Sequence, residues 1–518
     1  MKRTSFCIIA LTALIAVGCS KDTITQVSDT TSTDVSDVEF SRTVTVVYSS
    51  STASVSGTGD GLTVTVDGAG VTIVNSGSEA VAYNVSGTSS NGYLKIYSSA
   101  VQQLCLNGLN LANPSGAAIN LQGSASKPSG GERTYLVIGG TNTLADGSSY
   151  SATPDDEDEK GVVFAEGDIV VSGDGSLTVT ASGKSGIVSD DCLYIKGGDI
   201  TVNMTSAAKV VSGDTLKPAC MKGKDFFSIT DGTLTLTSSG TGAKGISGDG
   251  TATFAGGTVT VTVTGTNFGT SGGGWGGGSA SGNSVAAKGI KFDGNITISG
   301  GVINVTASKH EGIETKGTME ITGGQVYSYS ASDDAINSAS TMTIEGGYIC
   351  GHSAGNDGLD ANGNLYIKGG LVYAIGASSP EVALDANTEG GYKLYVQGGT
   401  LIAIGGLEGG ASLSQSCYQT SSWTRSAWYA ITVGSDTYAF KTPASGGSGL
   451  VVSGSSQPTL KSGVTVSGGT TILGGMILLD GTVSGGTAVS LSSYSGGNGG
   501  GNGGGGGGGG GGHGGGPH

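Results

Sequence analysis

Apolar residues recur at a step of 23 residues through the middle of the chain, and they fall into three columns. The first column begins each repeat, the second lies just before a pair of glycines, and the third follows that pair. Within the second column apolar and polar residues alternate, which is the pattern of a β-strand with one buried face. The columns are Ile290, Ile313, Ile336 and Leu359; residues 296–298, 319–321, 342–344 and 365–367; and Ile303, Val326, Ile349 and Val372.

This repeat predicts three short strands per 23-residue unit, stacked so that each unit covers the apolar side of the next. The glycine pairs, such as Gly300-Gly301 and Gly323-Gly324, keep the same step and suit turns that other residues resist. A propeller blade needs ~40 or more residues per repeat, and no sustained helical periodicity appears outside the N-terminus. We therefore expect an all-β parallel β-helix.

The regularity changes along the chain and predicts its domain boundaries. Strand-like runs at uneven spacing occupy residues 44–160, which are expected to form an N-terminal β cap or the first irregular coils. The regular coils are expected over residues 161–406 and a C-terminal β cap over 407–494. The glycine-rich residues 495–518 are expected to be a disordered tail.

The N-terminus has the organisation of an export signal. Lys2 and Arg3 precede the apolar run 6–17, which is too short to span a bilayer. The run ends in Ala-Val-Gly-Cys, which resembles a bacterial lipobox. That resemblance implies a signal peptide over residues 1–18, a lipid on Cys19, a disordered tether over 19–43, and localisation at the outer membrane or cell surface. An ordinary signal peptide with a coincidental cysteine is the alternative.

Composition narrows the classes of partner and cofactor. The formal net charge of −16 argues against nucleic acid as a partner. The five cysteines after Cys19 are widely spaced and odd in number, so they predict neither a disulfide framework nor a zinc site.

Several segments, taken in order, resemble one known family. They are residues 104–109, 140–144, 168–173, 186–191 and 221–225, followed by the repeats, and together they cover about residues 44 to 410. The family comprises bacterial cell-surface carbohydrate-binding proteins that look like pectate lyases in fold. The resemblance implies a right-handed, single-stranded parallel β-helix with calcium between its coils and cellulose or acidic plant sugars as ligands. A shared fold does not by itself settle function.

Acidic residues occupy two columns of the repeat, three residues apart. Like charges on neighbouring strands, ~4.8 Å apart, repel by about 1 kcal/mol in water, so such columns either raise their own pKa values or bind a cation. Oxygen ligands with amides among them suit Ca²⁺. The candidate ligands are Glu311, Glu314, Asp333, Asp334, Asn337, Asn356, Asp357, Asp360 and Asp385. The alternative is that these are solvated turn residues.

Lysines mark where the acidic columns begin. Lys160, Lys244 and Lys288 are assigned to the same column in earlier repeats, so metal sites are expected only between about residues 311 and 387. His310 lies beside the column and is expected to be a surface residue rather than a ligand.

The first functional hypothesis is a non-catalytic, calcium-stabilised polysaccharide-binding protein. Calcium would bridge protein carboxylates to those of uronic acids, and aromatic rings would stack on sugar faces. Tyrosine is common in strands in any case. The candidate sugar-binding residues are Tyr327, Tyr329, Tyr366, Tyr373 and Trp275.

Two other hypotheses remain open. A calcium-dependent polysaccharide lyase needs a base beside the metal, for which Lys288, Lys291, Lys309 and Lys316 are candidates, although no pattern selects one. A structural adhesin, in which the repeats serve as a rigid stalk, is the third.

Overall fold

The computed structural model describes residues 35–127, 131–154, 157–269 and 284–496, and apart from one 3-10 helix at Val35–Asp37 its regular elements are β-strands. The prediction of an all-β protein is therefore confirmed. Within these residues no helix is both long and apolar enough to cross a bilayer. The export signal, Cys19, Trp275 and the glycine-rich tail from residue 497 onward lie outside the described residues.

One sheet has 13 strands, and all its pairs but the first are parallel. It contains the first apolar column of the repeat. Its strands are Leu62–Asp67, Ala69–Asn75, Gly92–Ser98, Ile119–Gln122, Gly161–Ala165, Ser185–Ser189, Ala219–Gly223, Lys244–Gly248, Ile290–Phe292, Ile313–Thr315, Ile336–Ser338, Leu359–Ala361 and Leu384–Ala386.

A second sheet has 26 strands and contains both the second and the third apolar columns. Its strands are Arg42–Ser49, Thr52–Ser56, Val81–Ser89, Gln102–Asn113, Thr134–Gly139, Thr141–Asp146, Ile169–Gly173, Ser176–Ala181, Cys192–Met204, Phe226–Ser238, Thr251–Phe254, Thr258–Val263, Ile296–Ile298, Val302–Ala307, Met319–Ile321, Gln325–Ser330, Met342–Ile344, Tyr348–Ser353, Leu365–Ile367, Leu371–Ile375, Leu394–Val396, Thr400–Ile404, Ser412–Leu413, Cys417–Thr420, Leu450–Ser453 and Ser492–Tyr494.

Two smaller sheets are antiparallel. A two-stranded hairpin pairs Lys209–Val211 with Asp214–Leu216. A six-stranded sheet lies in the C-terminal part and consists of Trp428–Val433, Asp436–Lys441, Thr459–Ser467, Thr470–Ile472, Ile477–Leu479 and Thr482–Val489.

The predicted fold class, a single-stranded right-handed parallel β-helix with three short strands in every coil and irregular caps, is wrong. Two of the three predicted columns belong to one sheet, because long strands such as Cys192–Met204 and Phe226–Ser238 run through both. That sheet is mixed, with antiparallel pairs at both of its ends. The C-terminal region contains a separate six-stranded antiparallel sheet rather than an irregular cap.

The glycine pairs explain how one strand can serve two columns. In the strand Cys192–Met204 the pairing register shifts around Gly197-Gly198 and then resumes, so the glycines produce a bulge instead of ending the strand. In later repeats the second glycine of the pair keeps this backbone form. Gly324 has a φ of 83°, and a Cβ there would lie 2.8 Å from the carbonyl oxygen of Gly300. The 23-residue glycine step is therefore a packing requirement as well as a turn preference.

The apolar columns meet in one continuous core. Ile313, Ile336 and Leu359 pair in register and are at most 1% exposed. Parallel pairing of this kind begins well before residue 161, since Ala69–Asn75 already pairs with Gly92–Ser98. A second apolar cluster lies between the 26-stranded and six-stranded sheets and includes Tyr373 and Phe440.

Candidate functional site

Strand register places four of the predicted ligands in one row across successive strands of the 13-stranded sheet. Glu314, Asn337, Asp360 and Asp385 occupy equivalent positions in four successive strands, and Lys291 precedes them in the same row. We call this the strand row.

A parallel row follows the turn that enters these strands. The backbone N–H after Lys288 bonds to the carbonyl of Glu311, and the same step continues to Asp334 and then to Asp357. Lys244 precedes Lys288 in this turn row. We define the acidic face as the two rows from Glu311 to Asp385.

Lys160 does not belong to the turn row, contrary to the sequence prediction. The register runs from Val163 through Ile187 and Met221 to Ile246, which makes Gly161 the counterpart of Lys244. The insertions between these repeats hide this one-residue offset from inspection of the sequence. Lys160 instead pairs with Asp158 and Asp190.

The first part of the acidic face comprises Glu311 and Glu314, and lysines lie beside both of them. Lys288 Nζ lies 3.1 Å from Glu311 Oε2 and also pairs closely with Glu314, which pairs in turn with Lys316. Burial alone would raise the pKa of Glu314, but Lys288 and Lys316 outweigh burial and lower the pKa. These two glutamates are therefore already neutralised by protein cations.

His310 adds a further cation beside this pair. It contacts Glu311 closely, and its Nδ1 lies 2.9 Å from Asp333 Oδ2. Burial would lower the pKa of His310, but hydrogen bonds to Asp333 and Glu311 raise it to about 9. His310 was predicted to be a surface residue, whereas it is half-buried and pairs with two of the candidate ligands. Asn356 completes this group by donating to Asp333 Oδ1 at 3.3 Å.

The second part of the acidic face comprises Asp334, Asp357, Asp360 and Asp385, and within the described residues these carboxylates are not paired with cations. Among the described residues, no lysine, arginine or histidine forms an ion pair with Asp334, Asp357, Asp360 or Asp385. Their partners are neutral donors. Asn337 Nδ2 donates to Asp334 Oδ2 at 3.2 Å and to Asp360 Oδ2 at 2.7 Å. Backbone N–H groups donate to Asp334 and Asp357 at 3.1 and 2.6 Å.

Burial and mutual repulsion raise the pKa values of Asp334, Asp357, Asp360 and Asp385. The pKa of Asp360 rises to about 6 and that of Asp357 to about 7, in both cases mainly through burial. The pKa of Asp385 rises to about 9, because burial is joined by a hydrogen bond to Glu408 and by nearby aspartates. Asp334 is 5% exposed, and its pKa is raised well above the usual range by burial and by Asp360, Asp333 and Asp357.

Glu408 is a member of this cluster that the sequence analysis missed. Leu384 and Leu407 form a parallel bridge, so Gly406-Leu407-Glu408 continues the series of Gly358-Leu359-Asp360. The same order of glycine, apolar residue and acid was available in the sequence, but the repeat was judged to end near residue 406. Glu408 also accepts a hydrogen bond from Thr388 at 3.0 Å.

The two parts of the acidic face differ in what they can bind. His310, Glu311 and Asp333 offer ligand atoms within 4.8 Å of one another. However, His310 and Lys288 already supply positive charge there. The carboxylates around Asp360 have no cationic partner among the described residues, and a buried or half-buried carboxylate without one is costly. On charge, the second part fits a hard divalent cation such as Ca²⁺ better.

The predicted sugar-binding tyrosines do not form one surface. Tyr373 is fully buried, packs on Phe440, and donates its hydroxyl to the carbonyl of Lys441 at 3.0 Å. Tyr327 packs against Gly474 in the same C-terminal region. The six-stranded sheet therefore covers Tyr373, and this ring offers no face to a sugar.

The other two predicted tyrosines of the described residues, Tyr329 and Tyr366, are half-buried and lie outside the C-terminal apolar cluster. Tyr329 packs edge-on against His352 with ring centroids 5.0 Å apart. Tyr366 stacks on Tyr395, with centroids 4.7 Å apart and planes 12° from parallel, and Lys368 lies 5.6 Å from the Tyr366 ring. The sequence analysis missed Tyr395, although residues 394–396 repeat the Leu-Tyr-apolar pattern of residues 365–367 and pair with them.

The raised pKa values predict how stability depends on pH in the absence of divalent cations. Folding favours the protonated forms of Asp357 and Asp360, so the free energy of unfolding should fall as pH rises from about 4 through 7. The double variant Asp357→Asn/Asp360→Asn removes both charges, so its stability relative to the parent should be about 4 kcal/mol greater at pH 8 than at pH 5, since the two pKa values lie about two units and about one unit above pH 5 and one pKa unit is about 1.4 kcal/mol.

Denaturant unfolding in chelator at several pH values measures this difference. Glu320→Gln, at an exposed position of the 26-stranded sheet, is the control and should follow the parent at every pH. If the free energy of unfolding of the double variant changes with pH as that of the parent does, then ionisation of these two aspartates does not destabilise the fold.

Comparison with known proteins identifies the family. The family model for carbohydrate-binding domain-containing proteins matches residues 67–335, which is just over half of the 518 residues. That match includes Glu311 to Asp334 and ends before Asp357. A carbohydrate-binding domain-containing protein of Acetivibrio thermocellus is 33% identical over 123 residues, or 23% of this chain and 41% of that protein. The chain thus spans about two fifths of that relative's length.

A solved structure gives a weaker match. It is the polysaccharide lyase-like protein from C. thermocellum, a gadolinium derivative, with a TM-score of 0.36 and 18% identity over 58% of this chain and 96% of that one. A likeness at this level carries no argument about function. The family model, which extends over more than half of the sequence, establishes that this protein belongs to the family of carbohydrate-binding domain-containing proteins.

Proposed function

We propose that this protein is a non-catalytic, calcium-stabilised polysaccharide-binding protein of the cell surface, and that its ligands are plant-type or acidic, uronate-containing glycans. Membership of a carbohydrate-binding family supports the general class. The single observation that carries the finer proposal is the group of two buried carboxylates, Asp334 and Asp357, and two half-buried ones, Asp360 and Asp385, with which no cation of the described residues forms an ion pair.

Calcium would be held by the second part of the acidic face. Asp334, Asp357, Asp360, Asp385 and Glu408 supply carboxylate oxygens, and Asn337 can supply an amide oxygen once its side chain turns. Bound there, Ca²⁺ would neutralise the carboxylates and could share its remaining coordination positions with a sugar carboxylate. An acidic protein could thereby hold an acidic polysaccharide without net repulsion.

Calcium should stabilise the protein through these residues. Saturating Ca²⁺, at about 100 times its dissociation constant, should raise the free energy of unfolding by about 2.7 kcal/mol if one ion binds only the folded state. The variant Asp360→Asn/Asp385→Asn should lose most of this gain, because it removes two charged ligands from adjacent strands. Thermal unfolding with calcium and with chelator measures the effect.

Glu320→Gln again serves as the matched control and should retain the full response to calcium. An identical unfolding midpoint of the parent protein in calcium and in chelator would refute the metal part of the proposal, while leaving glycan binding to be decided separately.

The stacked pair Tyr366–Tyr395 is the best-placed aromatic platform for a sugar ring. Replacing Tyr395 by alanine should weaken retention on a glycan that binds the parent by about fivefold, equivalent to about 1 kcal/mol of stacking. Affinity electrophoresis on cellulose, pectin and other glycans measures this retention. The control is Tyr392→Ala, because Tyr392 is 44% exposed and forms no ring pair among the described residues. Equal weakening by both variants would argue against a specific platform.

A calcium-dependent lyase is the second candidate, and one observation favours it. Burial and neighbouring lysines lower the pKa of Lys244 to about 7, a suitable value for a base at neutral pH, although four strand-to-strand steps, about 19 Å, separate Lys244 from Asp357 of the proposed calcium site. Lys288, a candidate from the sequence, is less suitable because its glutamate partners raise its pKa despite burial. A sustained rise in absorbance from unsaturated products, on incubation with polygalacturonate and calcium, would overturn the non-catalytic proposal. Failure to bind any glycan would favour the structural stalk.

Attachment to the membrane through Cys19 is proposed from the sequence alone. Labelled fatty acid should be incorporated into the expressed protein and should be lost in Cys19→Ala. Equal labelling of both forms would contradict lipidation at this cysteine.

A further inference from the structure

A cavity of about 230 Å³ opens on the 13-stranded sheet, next to the acidic face on its N-terminal side. Five lysines line it, together with two aspartates, Asp249 and Asp293. The lysines are Lys217, Lys222, Lys244, Lys288 and Lys291. We call this the lysine cavity. The whole chain has only 24 lysines and arginines against 40 acidic residues, so their convergence runs against its composition.

Strand register brings these lysines together. Lys222, Ser247 and Lys291 occupy equivalent positions in three successive strands, so one lysine lies on each side of the small residue Ser247. Lys244 and Lys288 are adjacent in the turn row. Lys217 comes from the segment just before the strand Ala219–Gly223.

Three of the five lysines have partners that restrain them. Lys288 pairs with Glu311 and Glu314, Lys291 with Asp293, and Lys222 with Asp249 at 3.5 Å. The two ion pairs of Lys288 join the lysine cavity directly to the acidic face.

Lys244 and Lys217 form no ion pair within the described residues. Lys217 is exposed, but Lys244 is only 7% exposed. Burial, followed by repulsion from Lys291, Lys288 and Lys217, lowers the pKa of Lys244. A buried ammonium group without a counterion is costly, and a bound anion removes that cost. Lys244 therefore lacks a negatively charged partner among the described residues, because Asp249 and Asp293 of the cavity pair with Lys222 and Lys291.

We propose that the lysine cavity is an anion site that binds a carboxylate of an acidic sugar unit. This assignment rests on the proposed function and names a second point of contact for the same glycan. From Lys244 to Asp357 is four strand-to-strand steps, about 19 Å, so one polysaccharide chain of several units can reach both regions. One carboxylate would then meet lysines, and another would meet calcium.

The cavity volume agrees with this ligand. Pockets for whole drug-sized ligands usually have about 300–1,000 Å³. The smaller lysine cavity suits one charged group or one sugar unit, with the rest of the polymer lying outside. Inorganic sulfate and phosphate are also small oxyanions that lysines bind, so the test must separate these sources.

The test compares the full-length parent protein with Lys244→Met, which keeps a long apolar chain but removes the ammonium group. Lys209→Met is the matched control, since Lys209 is an exposed lysine of the two-stranded hairpin. Isothermal titration in calcium uses oligogalacturonate, the same oligomer with its carboxylates reduced to alcohols, and inorganic sulfate. We expect Lys244→Met to bind oligogalacturonate about tenfold more weakly, with the reduced oligomer unaffected and the control unchanged.

The outcomes separate the proposals. Equal affinity of Lys244→Met and the parent for oligogalacturonate overturns the lysine cavity as a sugar site. Binding of sulfate that depends on Lys244, without an effect on oligogalacturonate, also overturns it and leaves a site for inorganic anions. Retention of neutral glycans only would preserve glycan binding in general and reject this inference. If Lys244→Met does not fold, Lys217→Gln at the exposed edge of the cavity replaces it, with a smaller loss expected and no loss overturning the proposal.

Discussion

In-register pairing of parallel strands 23 residues apart is the constraint on which the rest of this molecule depends. It places each residue directly against its counterpart in the next repeat, at a spacing of about 4.8 Å. For apolar residues this repetition is favourable, since Ile313, Ile336 and Leu359 cover one another in a continuous core. For charged residues the same repetition is costly, because like charges are held together wherever a row keeps one sign.

The charges on the 13-stranded sheet can be understood as a consequence of that constraint. Both rows change sign between the repeats of Lys288 and Glu311, and at this boundary lysines and glutamates neutralise one another. Away from the boundary, compensation ends on both sides. Among the described residues, Lys244 on the N-terminal side is buried without an anionic partner, and Asp334 and Asp357 on the C-terminal side are buried without a cationic one. The two proposed binding regions therefore lie on opposite sides of one change in the sign of charge. Among these residues, the lysine side has unpaired positive charge, and the carboxylate side has unpaired negative charge.

The six-stranded sheet imposes a second constraint on what can bind. It packs against the last repeats of the 26-stranded sheet and buries rings that the repeat alone would leave on the outside, as shown by Tyr373 against Phe440. The pair Tyr366–Tyr395 belongs to a different part of the same sheet and stays half-buried. Aromatic contact with a sugar is thus restricted to fewer positions than the count of strand tyrosines suggests.

The sequence by itself determined the all-β class, the 23-residue step and the alignment of Glu314, Asn337 and Asp360, because a strict period carries register directly. Asp385 follows Asp360 by 25 residues, and the repeated Leu-Asp-Ala triplet aligns it across that insertion. The sequence also contained Glu408, which was overlooked only because the period was taken to end too early. Lys160 shows the limit of this reasoning, since insertions of uneven length shift the register by one residue without a visible mark.

Only the tertiary structure decided which charges are neutralised, which rings are covered, and that two strand columns merge into one sheet. These outcomes depend on contacts between residues far apart in the chain, such as Tyr373 with Lys441, and on whether a glycine pair makes a bulge or a break. A local period cannot specify them, because identical sequence positions have different neighbours once the C-terminal sheet has folded against the repeats.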